Sequence, residues 1–195
     1  MPAPPLTSTD IANQALQLIG DNETSVTGLY PNFNSSSKFA AGIALNLLYG
    51  TAVQAVLRQH SWDFARAEAP LVLSGNTAPS EWLYEYLYPN NAVQVWQLKP
   101  TTLIDPNNPI PIRWVRANTV VSGNQVSVIW TNLTNAIAIF NDNPLESTWP
   151  ADFQQAVIRL LASELATALA GRPDTAQMMM ESGASFESLA EARDS

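Results

Sequence analysis

Residues 47–73, LLYGTAVQAVLRQHSWDFARAEAPLVL, constrain the fold more than any other stretch of this chain. Apolar residues recur there every three or four positions and stop at an aromatic pair, Trp62 and Phe64, as in a long helix that has reached its end. After a short gap, EWLYEYLYP at 81–89 alternates with a period of two, which only an extended strand can present to one face. A helical period returns at 150–171. The order helix, strand, helix predicts an α+β protein, with an antiparallel long-helix bundle built from the N- and C-terminal segments and a β-rich insertion between them. The expected division is a helical core from 1–69 and 148–195 and a β-rich insertion from 70–147.

Ser8 to Asp10 offer oxygens that cap a first helix, with Ile11, Ala15, Leu16, Leu18 and Ile19 as its apolar stripe and Gly20 as its stop. Residues 21–35 read as a polar loop with one extended piece around Val26. A second helix is expected from about Ser36 to His60, with Phe39, Ile43, Leu47, Gly50, Val53 and Leu57 on its buried face. Gly50 would admit a neighbouring helix. Strands are expected at 82–88, at 92–98, on both sides of a Ser122-Gly123-Asn124 turn, and at 136–140, with a Pro/Asn loop at 101–111. Pro150 suits the first turn of a helix whose stripe is Phe153, Val157, Leu160, Leu161, Leu165, Ala168 and Leu169, stopped by Gly171. Pro173 opens a last helical segment that Gly183 is expected to break.

Composition narrows the chemistry. With no cysteine there are no disulfides and no thiolate metal sites, and one histidine, His60, excludes a histidine-rich metal centre within one subunit. A net charge of −8 argues against gripping nucleic acid, which needs an excess of Lys and Arg. Charged residues are 13%, about half the usual share, so polar amides, hydroxyls and apolar groups must carry the surface. Such a surface suits subunit contacts. The opening residues lack the basic and apolar regions of a signal peptide, and no uninterrupted apolar run reaches the roughly 18 residues of a membrane span. No cofactor and no metal is expected.

Several constellations were weighed as chemistry. Ser35 and Lys38 have S-x-x-K spacing, but the partner motifs of serine acyl-enzymes are missing. His60, Ser61 and Asp63 contain the residue types of a hydrolase triad, yet neighbours in sequence rarely point at one another, and a histidine at a helix C-terminus suits the dipole there. Glu81 and Glu85 fall on one face of the expected strand and could serve glycoside hydrolysis. Trp82, Tyr84, Tyr86 and Tyr88 form a row that could stack on sugar. Such a row more often packs a sheet, and Trp62, Phe64, Trp82, Tyr84 and Tyr86 are read as aromatic packing elements. Met178, Met179 and Met180 cannot all face one core from a helix, and flexible thioethers suit an adaptable interface. Met178, Met179, Met180, Phe186 and Leu189, with Arg113 and Arg116, are the candidate protein-interface residues. The arginines are expected to pair with carboxylates on a neighbouring subunit. Nothing here makes an enzyme.

Taken in order, 9–29 (TDIANQALQLIGDNETSVTGL), 47–71, 82–98 (WLYEYLYPNNAVQVWQL), the 121–132 hairpin and 149–171 resemble the head-to-tail adaptor family of short-tailed bacteriophages, also called tail tubular or head-completion ring proteins. The most specific elements are W-x-F-A at Trp62, Phe64 and Ala65, and Tyr84 and Tyr86 before Pro89. The family often has an Asp near Asn90 and Asn91, absent here, and the acidic tail with its methionines has no counterpart in the pattern. What the resemblance implies is a non-enzymatic virion protein, assembled in the bacterial cytoplasm into a dodecameric ring beneath the portal. Such a ring extends the DNA channel and meets the tail nozzle or needle. Its partners would be the portal protein, the nozzle or needle and other copies of itself, with DNA passing through and no membrane. The C-terminal segment would be the arm towards the portal. A carbohydrate-binding or glycan-hydrolysing tail component, and a different connector, stopper or tail-completion protein, are the alternatives.

Overall fold

The computed structural model describes residues 6–22, 24–35, 39–101, 112–170 and 173–194. Ser36, Lys38, Gly171 and all but the first residue of the 101–111 loop lie outside these. So do the side chains of Phe39, Asp174, Arg193 and Asp194. Helices and strands are both present, and contacts divide the chain into a helical unit, 1–64 with 144–195, and a β unit, 65–143.

In the helical unit, α1 spans Ser8–Leu18. Thr7 rather than Ser8 is its cap. The Thr7 hydroxyl accepts from the Asp10 amide, and the Asp10 carboxylate accepts from the Thr7 amide at 2.8 Å, a reciprocal box that closes the first turn. Two further strands, β1 (Val26–Thr27) and β2 (Asn34–Ser35), pair in an antiparallel ladder. The helices hold this ribbon through amides. Asn13 of α1 bonds both the N–H and the C=O of Val26, and Asn46 does the same to Phe33. Each asparagine acts as a short piece of strand, satisfying backbone that a loop would otherwise leave bare.

The helix bearing Asn46 is α2, Phe39–Leu57. Its buried face is Ala41, Leu45, Tyr49, Ala52, Val53, Val56 and Leu57. Val53 and Leu57 of the expected stripe are there, whereas Ile43 and Leu47 are 46% and 70% exposed. Gly50 admits Tyr30, whose Cζ lies 3.0 Å from where a Cβ would stand, and not another helix. The window Ala40–Leu57 has mean hydropathy 1.5, long and apolar enough to cross a membrane by length and composition alone. A core helix passes the same test, and Leu45, Tyr49 and Ala52 lie in the core.

Past α2 the aromatic pair turns inward. Trp62 is 1% exposed and its Nε1 donates to the Val56 carbonyl, 3.1 Å. Its ring meets Phe64 at 5.9 Å and Phe153 at 5.2 Å, and Trp149 completes the group at 5.0 Å from Phe153. Phe153 belongs to α3, Ala151–Leu165, which starts at Pro150 and continues as a π-helical turn over Ala166–Ala170. Phe153, Val157, Leu161 and Leu165 are buried as expected. Leu160 and Leu169 are only half-buried and Ala168 is exposed, because the buried face turns towards Ile158 and Ala162.

The last helix, α4, runs unbroken from Pro173 to Asp194. Gly183 does not interrupt it. A Cβ there would lie 3.4 Å from Arg159 Cβ and 3.8 Å from Leu160 N of α3, so the glycine is where the two helices come closest. One methyl fits, and a branched side chain does not. Gly183→Ala is expected to hold or raise the melting temperature, since alanine gains about 1 kcal/mol of helix propensity. Gly183→Val is expected to cost about 1–3 kcal/mol by levering α4 away, read as a lower melting temperature with faster proteolysis of α4.

In the β unit, β3 (Arg66–Pro70), β8 (Ile137–Asn141) and β5 (Gln94–Lys99) form one antiparallel sheet in the order β3-β8-β5. A second has the order β4-β7-β6, from Tyr84–Leu87, Asn124–Thr131 and Trp114–Val121. Tyr86, Val95, Leu98, Ile129, Ala138 and Phe140 bring both sheets into one core. The hairpin between β6 and β7 turns where expected. Ser122 (φ 51°) and Gly123 (φ 82°) are both left-handed, the geometry whose twist matches the strands. β3 and β2 are absent from the expected strands. β4 begins at Tyr84, two residues later than expected.

Candidate interaction surface

On α4 the three methionines point three ways, as 100° per residue requires. Met179 is buried, while Met178 and Met180 are 58% and 61% exposed. Leu189 is exposed as well, and Phe186 is half-buried beneath Arg159, whose guanidinium carbon stands 4.3 Å from the ring centre. Of the apolar candidates on this helix, Met178, Met180 and Leu189 are therefore open and Met179 is core.

Beside Met180 lies a groove of about 210 Å³, lined by Val56 and Gln59 of the α2 end, Ala156 and Leu160 of α3, and Glu187 of α4. The walls are apolar and the polar groups meet at one point, where the Gln59 amide donates to the Glu187 carboxylate. Burial first, and the neighbouring Glu191 second, push Glu187 up to about 7. The facing groups on the other helices do not relieve it. Gln59 is neutral, and Arg159 is engaged on Phe186.

A carboxyl whose affinity for protons rises on docking favours the docked helix while it is protonated. The packing of α4 is thus expected to be strongest in mild acid and to weaken as pH climbs from the ordinary carboxylate range through 7. Amide hydrogen exchange of α4 at pH 5.5 and pH 8, corrected for intrinsic rates, checks this. Glu187→Gln should flatten the difference, and equal protection at both pH values would refute it.

On another side of α2, Leu47, Gly50, Ala55 and Arg58 line a second groove with Tyr30, of about 250 Å³. Leu47 and Arg58 recur on one stripe of the helix, and Val56 and Gln59 fall well round from it. Arg58 is exposed and donates to Gln54 Oε1 at 3.2 Å. Tyr49, beneath this region, gives its hydroxyl to Glu146 at 3.2 Å, and burial holds its proton on far above the usual phenol range.

The β unit uses its candidates internally. Arg113 lies over Trp82 at 4.8 Å, and Arg116 lies over Tyr88 at 4.2 Å with a bond to Ser127. Both arginines cover aromatic faces of their own unit. Tyr86 is buried and donates to the Leu133 carbonyl, Tyr88 accepts from the Val95 amide, and half-buried Tyr84 sits 6.0 Å from Tyr86. Tyr86 and Trp82 are thus closed to a sugar ring. Glu81 is exposed in a turn, whereas Glu85 is 3% exposed and accepts from Ser74 Oγ (2.6 Å), Asn76 Nδ2 (3.1 Å) and Trp130 Nε1 (2.7 Å). The two carboxylates do not share a strand. His60 packs edge-on against Trp62, 5.1 Å between centres.

Among the described residues, no group of three His, Asp or Glu side chains is placed to hold a metal ion. Compared with known proteins, the chain matches no family model and no curated protein.

Proposed function

We propose that this chain is a structural virion protein that joins copies of itself into a ring between portal and tail, extending the DNA channel and supporting tail attachment. In this reading the four helices are an antiparallel bundle around α3, rigid enough to be a ring's repeating body, and the β segment is its insertion.

One observation carries the proposal. The helical unit exposes apolar side chains on two of its helices, Ile43 and Leu47 on α2 and Met178, Met180 and Leu189 on α4. Unlike apolar patches on one body favour head-to-tail contact, which propagates to a ring or a filament, whereas a single self-complementary patch favours a closed dimer. The charge of the chain supports the same reading, since −8 repeated around a channel repels DNA and lets it slide. The ring would form on a portal template in the host cytoplasm, each weak contact gaining from repetition. A stopper or tail-completion protein would differ in its place in the particle and not in its chemistry.

Light-scattering mass of the purified chain, alone and with the portal protein of the same genome, tests it. A monomer that becomes a stoichiometric ring on the portal is the expected result. No association across a range of salt and protein concentration would overturn the reading.

A further inference from the structure

We propose that neighbouring copies of this chain join by inserting Arg58 of one copy into the groove that holds Glu187 of the next, with Met180 of the second copy covering the Tyr30–Leu47 groove of the first. This rests on the reading that the chain assembles with itself, and it names the surfaces that meet.

The two grooves are complementary in charge, one carrying Glu187 and the other Arg58. One, of about 210 Å³, has walls of Val56, Ala156, Leu160 and Met180 and a carboxylate at its polar point. That pattern fits the aliphatic stem and cationic head of a long basic side chain. The other, of about 250 Å³, is lined by Tyr30, Leu47 and Ala55 and carries such a side chain at its edge. Arg58 is exposed there, held by one bond to Gln54, a neutral partner that is easily exchanged for a carboxylate. Among the described side chains of the helical unit the other arginine, Arg159, is committed to Phe186, which leaves Arg58 as the cation on offer.

Glu187 is also in need of one. It is partly removed from water, its described neighbours are an amide and a second carboxylate, and burial with that neighbour raises its proton affinity. A guanidinium would replace the lost water and reverse the repulsion from Glu191. Exposed Met180 flanks one surface, and exposed Leu47 and 41%-exposed Tyr30 flank the other. Ion pairing inside an apolar frame gives such a contact its register, and the frame excludes the water that would screen the pair. Because the donor and the acceptor lie in different grooves, a contact made once between two copies leaves an unused Arg58 on one and an unused Glu187 groove on the other, from which head-to-tail growth continues.

The chain has no cysteine, which permits a direct test. Two variants, Thr51→Cys and Ala184→Cys, exposed positions that line the two grooves and leave Arg58 and Glu187 in place, are mixed under conditions where the wild type assembles, with portal protein present if assembly requires it, and treated with a short bis-maleimide. Such a linker is needed because a direct disulfide demands Cα atoms within about 7 Å, closer than positions beside an Arg–Glu pair sit. With one thiol per chain, any cross-link joins different copies. The expected product is the mixed dimer, in large excess over either homodimer. Arg58→Glu and Glu187→Arg should each abolish assembly of otherwise folded chains, and mixing the two swapped chains should restore pairwise contact. Assembly with no mixed cross-link would overturn this contact and leave the ring reading standing. Predominant homodimers would replace it with a two-fold interface. Failure of the wild type to assemble at all would overturn both.

Discussion

Replacing Trp62 with alanine is expected to destabilise the helical unit by about 3–5 kcal/mol, the usual cost of removing a fully enclosed indole. The ring is 1% exposed and stands between the C-terminal end of α2 and the first turn of α3. Three losses coincide. The void cannot be refilled by Phe64 and Phe153 without abandoning their own contact at 4.8 Å, edge-to-face packing among the rings is lost, and the Val56 carbonyl at the end of α2 loses one of its two donors, keeping the Gln59 N–H. Trp62→Phe retains most of the packing and should cost roughly half as much. Urea unfolding followed by far-ultraviolet circular dichroism measures both. A loss under about 1 kcal/mol in the alanine variant would show that the ring is not the lock between these helices.

The second large effect is expected at Glu85. Its carboxylate gathers a hydroxyl, an amide and an indole N–H, and Asn76 also reaches the Val120 carbonyl at 3.1 Å, so one acid ties the 74–76 segment to β6 and β7. Glu85→Ala removes three hydrogen bonds that converge on a buried carboxylate, two of them from half-buried donors, and is expected to cost about 1–3 kcal/mol. Glu85→Gln is not a true rescue, since its amide must turn N–H groups towards donors, and it should fall between alanine and wild type. Trp130 reports the event directly through its indole N–H resonance, which should shift and exchange faster in both variants. An unchanged melting transition with a selective loss of glycan turnover would instead make Glu85 catalytic. The geometry gives no reason to expect that, because Glu81 is in an exposed turn and the aromatic row beside Glu85 is largely occupied.

Both residues were visible in the sequence, yet only one could be read correctly there. Trp62 announced itself because it ends a helical period with a second aromatic two residues on, and such a pair has few uses besides packing. Glu85 looked like half of an acid pair. Its donors come from 11, 9 and 45 residues away, so no local pattern carried them.

The same division runs through the fold. The start of α1 near Ser8, the start of α3 at Pro150, the turn at Ser122 and Gly123 and the alternating strands followed from the sequence, because their energies are settled among residues a few positions apart. The buried face of α2 did not. That helix is apolar nearly all round, and a period cannot choose a face when every face qualifies. Its neighbours chose, placing Leu45, Tyr49 and Ala52 inward and leaving Ile43 and Leu47 outward. Gly183 as a point of close helix approach, the arginines as covers for aromatic rings and the meeting of Gln59 with Glu187 are decisions of the same kind. Local chemistry determined where elements begin, end and turn. Which surfaces they bury, and therefore which remain for a partner, was decided by long-range packing that sequence spacing does not encode.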